Sequence, residues 1–161
     1  MQDISFKTDT HMFSYRIAGI VVHDGCVLLQ KPDDDTGYAY PGGQAAFGET
    51  NEETLKREFM EELGEEIEVG ELKWVAEIFF PWRGKTCQQI CLYYMVRFKN
   101  PSIPLSGSFY GIEEMEGRRF KLGFYWTKIE DMEKMEVYPE NAGSLMKSID
   151  SGVQHFVYVE P

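Results

Sequence analysis

A layered α/β domain is the fold this sequence predicts, with strands interleaved with two amphipathic helices. Three observations point to it. Short runs rich in Val, Ile, Tyr and Phe recur from Ser14 to Val159, bounded by Gly, Pro and Asp. Leu55, Phe59 and Leu63 recur at i+4 spacing, the period of a helix with one buried face. No internal repeat, low-complexity segment or long linker divides the 161 residues, and 43% hydrophobic composition supplies one sizeable core. Residues 1–161 therefore read as a single domain.

Taken in order, Ser14 to Val22 reads as a strand that turns at His23-Asp24-Gly25 and returns through Cys26 to Gln30. Lys31 to Gly37 is a polar, aspartate-rich loop. Tyr38 to Tyr40 leads into Pro41-Gly42-Gly43, a tight turn whose backbone can approach a ligand closely. A helix follows from about Asn51 to Leu63. Thr50 and Glu53 have the spacing of a capping box, Glu52 and Glu53 suit the first turn, and Gly64 suits the C-terminal cap. Leu72 to Phe80 and Gln88 to Phe98 read as strands joined through Pro81-Trp82-Arg83-Gly84 as a hairpin. Asn100 to Arg118 is irregular, Lys121 to Thr127 is a strand, Glu140 to Ile149 a second amphipathic helix, and Val153 to Val159 a closing strand.

The first helix carries the chemistry. At roughly 100° per residue, Glu58, Glu61 and Glu62 fall within about 100° of arc, while Leu55, Phe59 and Leu63 occupy an adjoining face. Like charges at i+3 and i+4 repel in an isolated helix. A hard divalent cation with oxygen ligands would offset that repulsion.

The pattern Gly43, five residues, Glu49, seven residues, then Arg57-Glu58-Phe59-x-Glu61-Glu62-x-Gly64 resembles the signature box of the Nudix hydrolases. Two positions depart from it. Phe59 is bulkier than the usual aliphatic residue, and Glu65 stands where an apolar residue is usual, with Ile67 available to take over its packing. The resemblance implies an α/β/α sandwich around a mixed sheet and hydrolysis of a diphosphate linkage in a nucleoside diphosphate derivative. A nucleoside triphosphate, giving monophosphate plus pyrophosphate, competes with ADP-ribose as substrate. It implies Mg²⁺ or Mn²⁺ held by Glu58, Glu61, Glu62 and the Gly42 carbonyl, with Glu58 or Glu61 as general base. It also implies a salt bridge between Arg57 and Glu49 that positions the helix, with Gly43 and Gly64 supporting the site. Dimers are common among relatives, so a homodimer is compatible with the resemblance. The alternative is a non-catalytic Nudix module that binds a nucleotide metabolite and regulates a partner.

Outside the box the candidates are more dispersed. Glu113, Glu114 and Glu116 are candidates for an extra metal ligand or base, and Arg118, Arg119 and Lys121 follow them. Arg16 and Lys31 are candidate phosphate contacts. Tyr38, Tyr40, Phe79, Phe80, Trp82 and Tyr110 offer aromatic platforms for a base, with Tyr40 and Phe80 the chosen candidates. Asn141 opens the last predicted helix, where nucleotide-cleaning relatives place a base-reading asparagine. A net charge of −11 disfavours nucleic acid polymers and anionic membranes as partners, but not a small phosphorylated substrate. No apolar run reaches the length of a membrane span. Met1 to Phe13 lacks a signal-peptide layout, and Cys26, Cys87 and Cys91 fit reduced thiols, so a cytoplasmic protein is expected.

Overall fold

The computed structural model describes residues 1–35, 37–115 and 117–161, without the side chains of 112–115 and 120. Its strands are β1 (Ser5–Lys7), β2 (His11–Ile20), β3 (Val22–His23), β4 (Cys26–Pro32), β5 (Gly42–Gln44), β6 (Ile67–Trp82), β7 (Lys85–Phe98), β8 (Ser108–Met115), β9 (Arg118–Lys128) and β10 (Gln154–Val159). Helix α1 spans Asn51–Leu63, and the short α2 spans Asn141–Ser144.

Two sheets form. One runs β1-β2-β7-β6-β10, with β5 paired to β2; the other runs β3-β4-β9-β8. The first is mixed, because β2 pairs with β7 and β10 with β6 in parallel while the other pairs are antiparallel. Strand alternation gives its two faces different cores. Ala18, Ala76, Cys91 and Tyr93 face a cluster with Val27, Leu29, Met132 and Met146. Ile17, Val21, Val96 and Phe98 face a second cluster, closed by Leu55 and Phe59 of α1. Helical segments thus flank the sheets, and no described helix is long and apolar enough to cross a membrane.

Helix α1 is bounded at both ends by its own side chains and backbone. Glu53 N donates to Thr50 Oγ1 at 3.2 Å and Thr50 N to Glu53 Oε2 at 2.9 Å, a reciprocal cap. Gly64 adopts φ 68°, where a residue with a Cβ would be strained, and its N–H closes on the Met60 carbonyl. Both departures from the box are accommodated structurally. Phe59 is buried against Phe98 and sits where a Cβ on Gly19 would lie 2.9 Å from its ring. Glu65 is buried too, and its Oε1 accepts Ser102 N at 2.8 Å and Ile103 N at 3.1 Å, while Ile67 enters the core.

Three expectations about elements are corrected, and one strand is added. The Pro41-Gly42-Gly43 turn gives way to β5, antiparallel to β2. The segment Asn100 to Arg118 contains β8, a strand that exists through its ladder with β9. The helix expected over Glu140 to Ile149 is one α turn followed by a 3₁₀ turn at Leu145–Ser148. Gly143, followed by Ser144, favours that shortening. Ser5–Lys7 adds an edge strand that the polar N-terminus concealed.

Candidate functional site

The box glutamates open onto a cleft of about 790 Å³ between the six-stranded sheet and the C-terminal half of α1. Glu58, Glu61 and Glu62 line one wall with Gly42 and Gly43 of β5, and Arg16 of β2 lies in the floor. Glycine at 43 leaves room for the Glu58 carboxyl group: a Cβ there would stand 2.2 Å from its carbon, so the Glu58 side chain would have to move. At Gly42 a Cβ would meet the Ile17 carbonyl oxygen at 2.0 Å, so that position is set by the strand beneath it.

Arg57 is the hub of the wall. Its Nε and Nη2 donate to the two oxygens of Glu49 at 2.7 and 2.9 Å, in fork geometry. Nη2 also donates to the Gln44 carbonyl at 3.1 Å, which ties α1 to β5. Nη1 reaches Glu58 Oε1 at 2.8 Å and Glu61 Oε2 at 3.4 Å. Glu49 Oε1 further accepts Ala46 N at 3.1 Å and Thr54 Oγ1 at 3.0 Å. Bonds from Arg57 hold the Glu49 carboxyl down to about 2. Burial acts oppositely on Glu58 and raises its pKa, against the lowering effect of Arg57.

The glutamate side chains and the Gly42 carbonyl offer oxygen donors alone, the kind a hard divalent cation takes. As arranged, no three His, Cys, Asp or Glu groups among the described residues converge as ion ligands. Glu58 and Glu61 are turned to Arg57 instead. The Glu61 side chain is 57% exposed and has room to turn away.

The sequence model of the NUDIX domain matches residues 14–146 of the chain. The chain belongs to the NUDIX domain family. Nucleoside triphosphatase NudI of Enterobacter sp. (strain 638) is 32% identical over 96 residues, covering 50% of this chain and 63% of that protein. NudI of Salmonella arizonae is 41% identical over 56 residues, covering 32% and 40%. The chain therefore spans less than two thirds of the length of either relative. Among solved structures, the MutT protein of Bacillus halodurans superposes at TM-score 0.59 with 20% identity, covering 91% of this chain and 90% of that one. The MutT protein of Methanosarcina mazei Go1 gives 0.60 with 18% identity, covering 89% and 96%. At such identities these two likenesses show the fold.

Not every candidate residue of this NUDIX domain meets the cleft. Arg16 and Phe80 line it. Tyr40 does not: it is fully buried, donates to the Ala142 carbonyl at 3.0 Å and packs edge-on against Trp74 and Tyr93. A ring so enclosed has no free face for a ligand, which removes it as a platform. Lys31 turns to the Asp35 carbonyl at 3.1 Å and the Tyr38 ring, and Asn141 opens α2; neither lines the cleft. Glu116 lies outside the described residues, as do the side chains of Glu113 and Glu114. Sequence reasoning missed Ser14, Gln30, Gln44 and Gln89 as lining residues. Their alternation was visible, but only the parallel register of β2 with β7 brings Ser14 beside Gln89.

Proposed function

We propose that this NUDIX domain hydrolyses a diphosphate linkage in a nucleoside diphosphate derivative, with a nucleoside triphosphate as the favoured class. One observation carries the reading: three helix glutamates, a glycine-built strand and a floor arginine open onto a single cleft. The nucleoside triphosphatase relatives support the triphosphate over ADP-ribose.

Glu58, Glu61, Glu62 and the Gly42 carbonyl would hold Mg²⁺ or Mn²⁺. Once bound, such an ion neutralises diphosphate charge and polarises the phosphoryl group. Glu58 or Glu61 takes the proton of the attacking water. The new P–O bond replaces the anhydride P–O bond, and monophosphate and pyrophosphate leave. Arg57, anchored by Glu49 and the Gln44 carbonyl, keeps the helix at its distance from β5. Arg16 supplies positive charge to the phosphate chain from the floor.

A panel of nucleoside triphosphates and ADP-ribose, assayed with Mg²⁺ for released pyrophosphate or monophosphate, tests this. Glu58→Gln and Glu62→Gln are each expected to lower kcat at least about a hundredfold, the scale of losing a positioned base or charge partner. Full activity in both would remove the assigned roles. Nucleotide binding with no turnover across metals and pH would favour the regulatory module.

A further inference from the structure

The floor of the cleft is one face of the six-stranded sheet, and strand register sorts its chemistry into rungs. Arg16, Cys91 and Ala76 lie side by side on β2, β7 and β6; then Ser14, Gln89 and Ile78; then Met12, Cys87 and Phe80. Rungs two residues apart are separated by roughly 6.7 Å. The rung at Arg16 is charged and adjoins Gln44 of β5, on the side of the glutamates. The next is polar, with Gln89 Nε2 donating to Ser14 Oγ at 2.8 Å. The third is apolar, sulfur and ring carbon, with Trp82 following on β6 at the end of the cleft. Charge gives way to polarity and then to apolar surface over roughly 13 Å of strand. A nucleotide has that sequence of chemistries along its length: phosphate, sugar, base.

We propose that the nucleotide lies along β2, with its phosphate over Arg16, its sugar over Ser14 and Gln89, and its base against Met12 and Phe80. Trp82 closes the far end. The orientation rests on the hydrolase reading for its phosphate end, but it comes from the wall opposite the glutamates. Gln30 supports it independently. Its Oε1 is the buried side-chain acceptor without a hydrogen-bond partner among the described residues, and Gln30 lines the same cleft. An unmatched buried acceptor is costly, and a sugar hydroxyl supplies the missing donor. One backbone segment holds Gln30 and Arg16 together. Gln30 exchanges backbone hydrogen bonds with Ala39, and Arg16 Nη2 donates to the Tyr40 carbonyl at 2.7 Å. At the other end Lys7 and Arg83 stand over the Trp82 indole at 5.0 and 4.5 Å and hold it at the mouth.

The third rung offers no amide or carboxylate to a base edge. It reads the presence of a base through stacking and packing, and hardly its identity. Calorimetric titration of the full chain with AMP, CMP and ribose 5-phosphate in Mg²⁺ tests this. Both nucleotides should bind about 5- to 150-fold more tightly than ribose 5-phosphate, the worth of one stacked base, and within several-fold of each other. Phe80→Leu and Trp82→Leu should each narrow the gap, whereas Trp82→Phe, which keeps a ring, should preserve it. Indole quenching by AMP gives a second readout, since Trp74 and Trp126 are buried in the core. Equal affinity for all three probes, no binding of any, or a gap that survives both leucine variants overturns the orientation. Turnover with no base-dependent gap defeats the orientation alone. A gap without turnover on any nucleotide defeats the hydrolase reading alone.

Discussion

Arg57 spends its guanidinium on five acceptors: both oxygens of Glu49, the Gln44 carbonyl, Glu58 and Glu61. The consequence for Glu49 is measurable. Its carboxyl drops from the ordinary 4.5 to about 2. A carboxyl depressed by folding adds stability that is complete above its unfolded value and is lost as pH falls toward its folded one. Glu49→Gln should therefore destabilise the domain near pH 7 by on the order of 2 kcal/mol, the scale of hydrogen bonds to a charged group. The difference in Tm between wild type and variant should narrow as pH falls from 4.5 toward 2. A difference that holds constant across that window would mean the pair contributes nothing through its charge. The resemblance implied Glu49 and Arg57 as a pair. The Ala46 and Thr54 donors to Glu49 were not legible, because loop backbone conformation decides which N–H points inward.

Among the elements, α1 was the most legible, since its period, cap box and terminal glycine all mark the same limits. Strand β8 was the least. Gly111, Glu113 and Glu114 interrupt the strand preference of Phe109, Tyr110 and Ile112, and pairing with β9 supplies what local preference does not. Gly42 and Gly43 read as a turn because local sequence cannot register that β2 runs alongside them. Their neighbours separate the two glycines experimentally. In Gly43→Ala the new methyl meets the end of a flexible side chain, the Glu58 carboxylate, which can swing aside. Activity should fall at least about tenfold while Tm shifts little, because a displaced carboxylate misplaces the chemistry more than it strains the fold. In Gly42→Ala the methyl meets the backbone of Ile17 and Ala18, which cannot yield cheaply. That variant should lose stability first, by about 1–3 kcal/mol. Matched losses of Tm in the two variants would contradict this division of labour.

For the molecule as a whole, net charge −11 and three clustered helix glutamates make cation binding a stability question as well as a catalytic one. A ligand that binds only the folded chain adds about 2.7 kcal/mol at a hundred times its Kd. In a chain of this size that is a rise of roughly 5–11 °C in Tm. Mg²⁺ titrated into EDTA-treated protein should raise Tm on that scale, and Glu58→Gln combined with Glu62→Gln should abolish the rise. An equal rise in the double variant would place the cation elsewhere. The layered α/β class was legible at this scale from the order of runs, and the mixed sheet from the resemblance of the box. The cleft floor was not, since it assembles rungs from strands roughly 75 positions apart in sequence.

One packing detail bears on how freely the box can be moved between proteins. The ring of Phe59 occupies room that a methyl on Gly19 would take, and Val96 crowds the same spot. Helix and strand are therefore matched as a lock to its ward. Grafting Asn51–Leu63 onto a scaffold with alanine at the facing strand position would wedge the helix away from its seat. Restoring an aliphatic residue at 59 while keeping Gly19 would open a void beneath the glutamates. The signature is portable as a string of letters, but as an object it travels only with the glycine forty residues upstream.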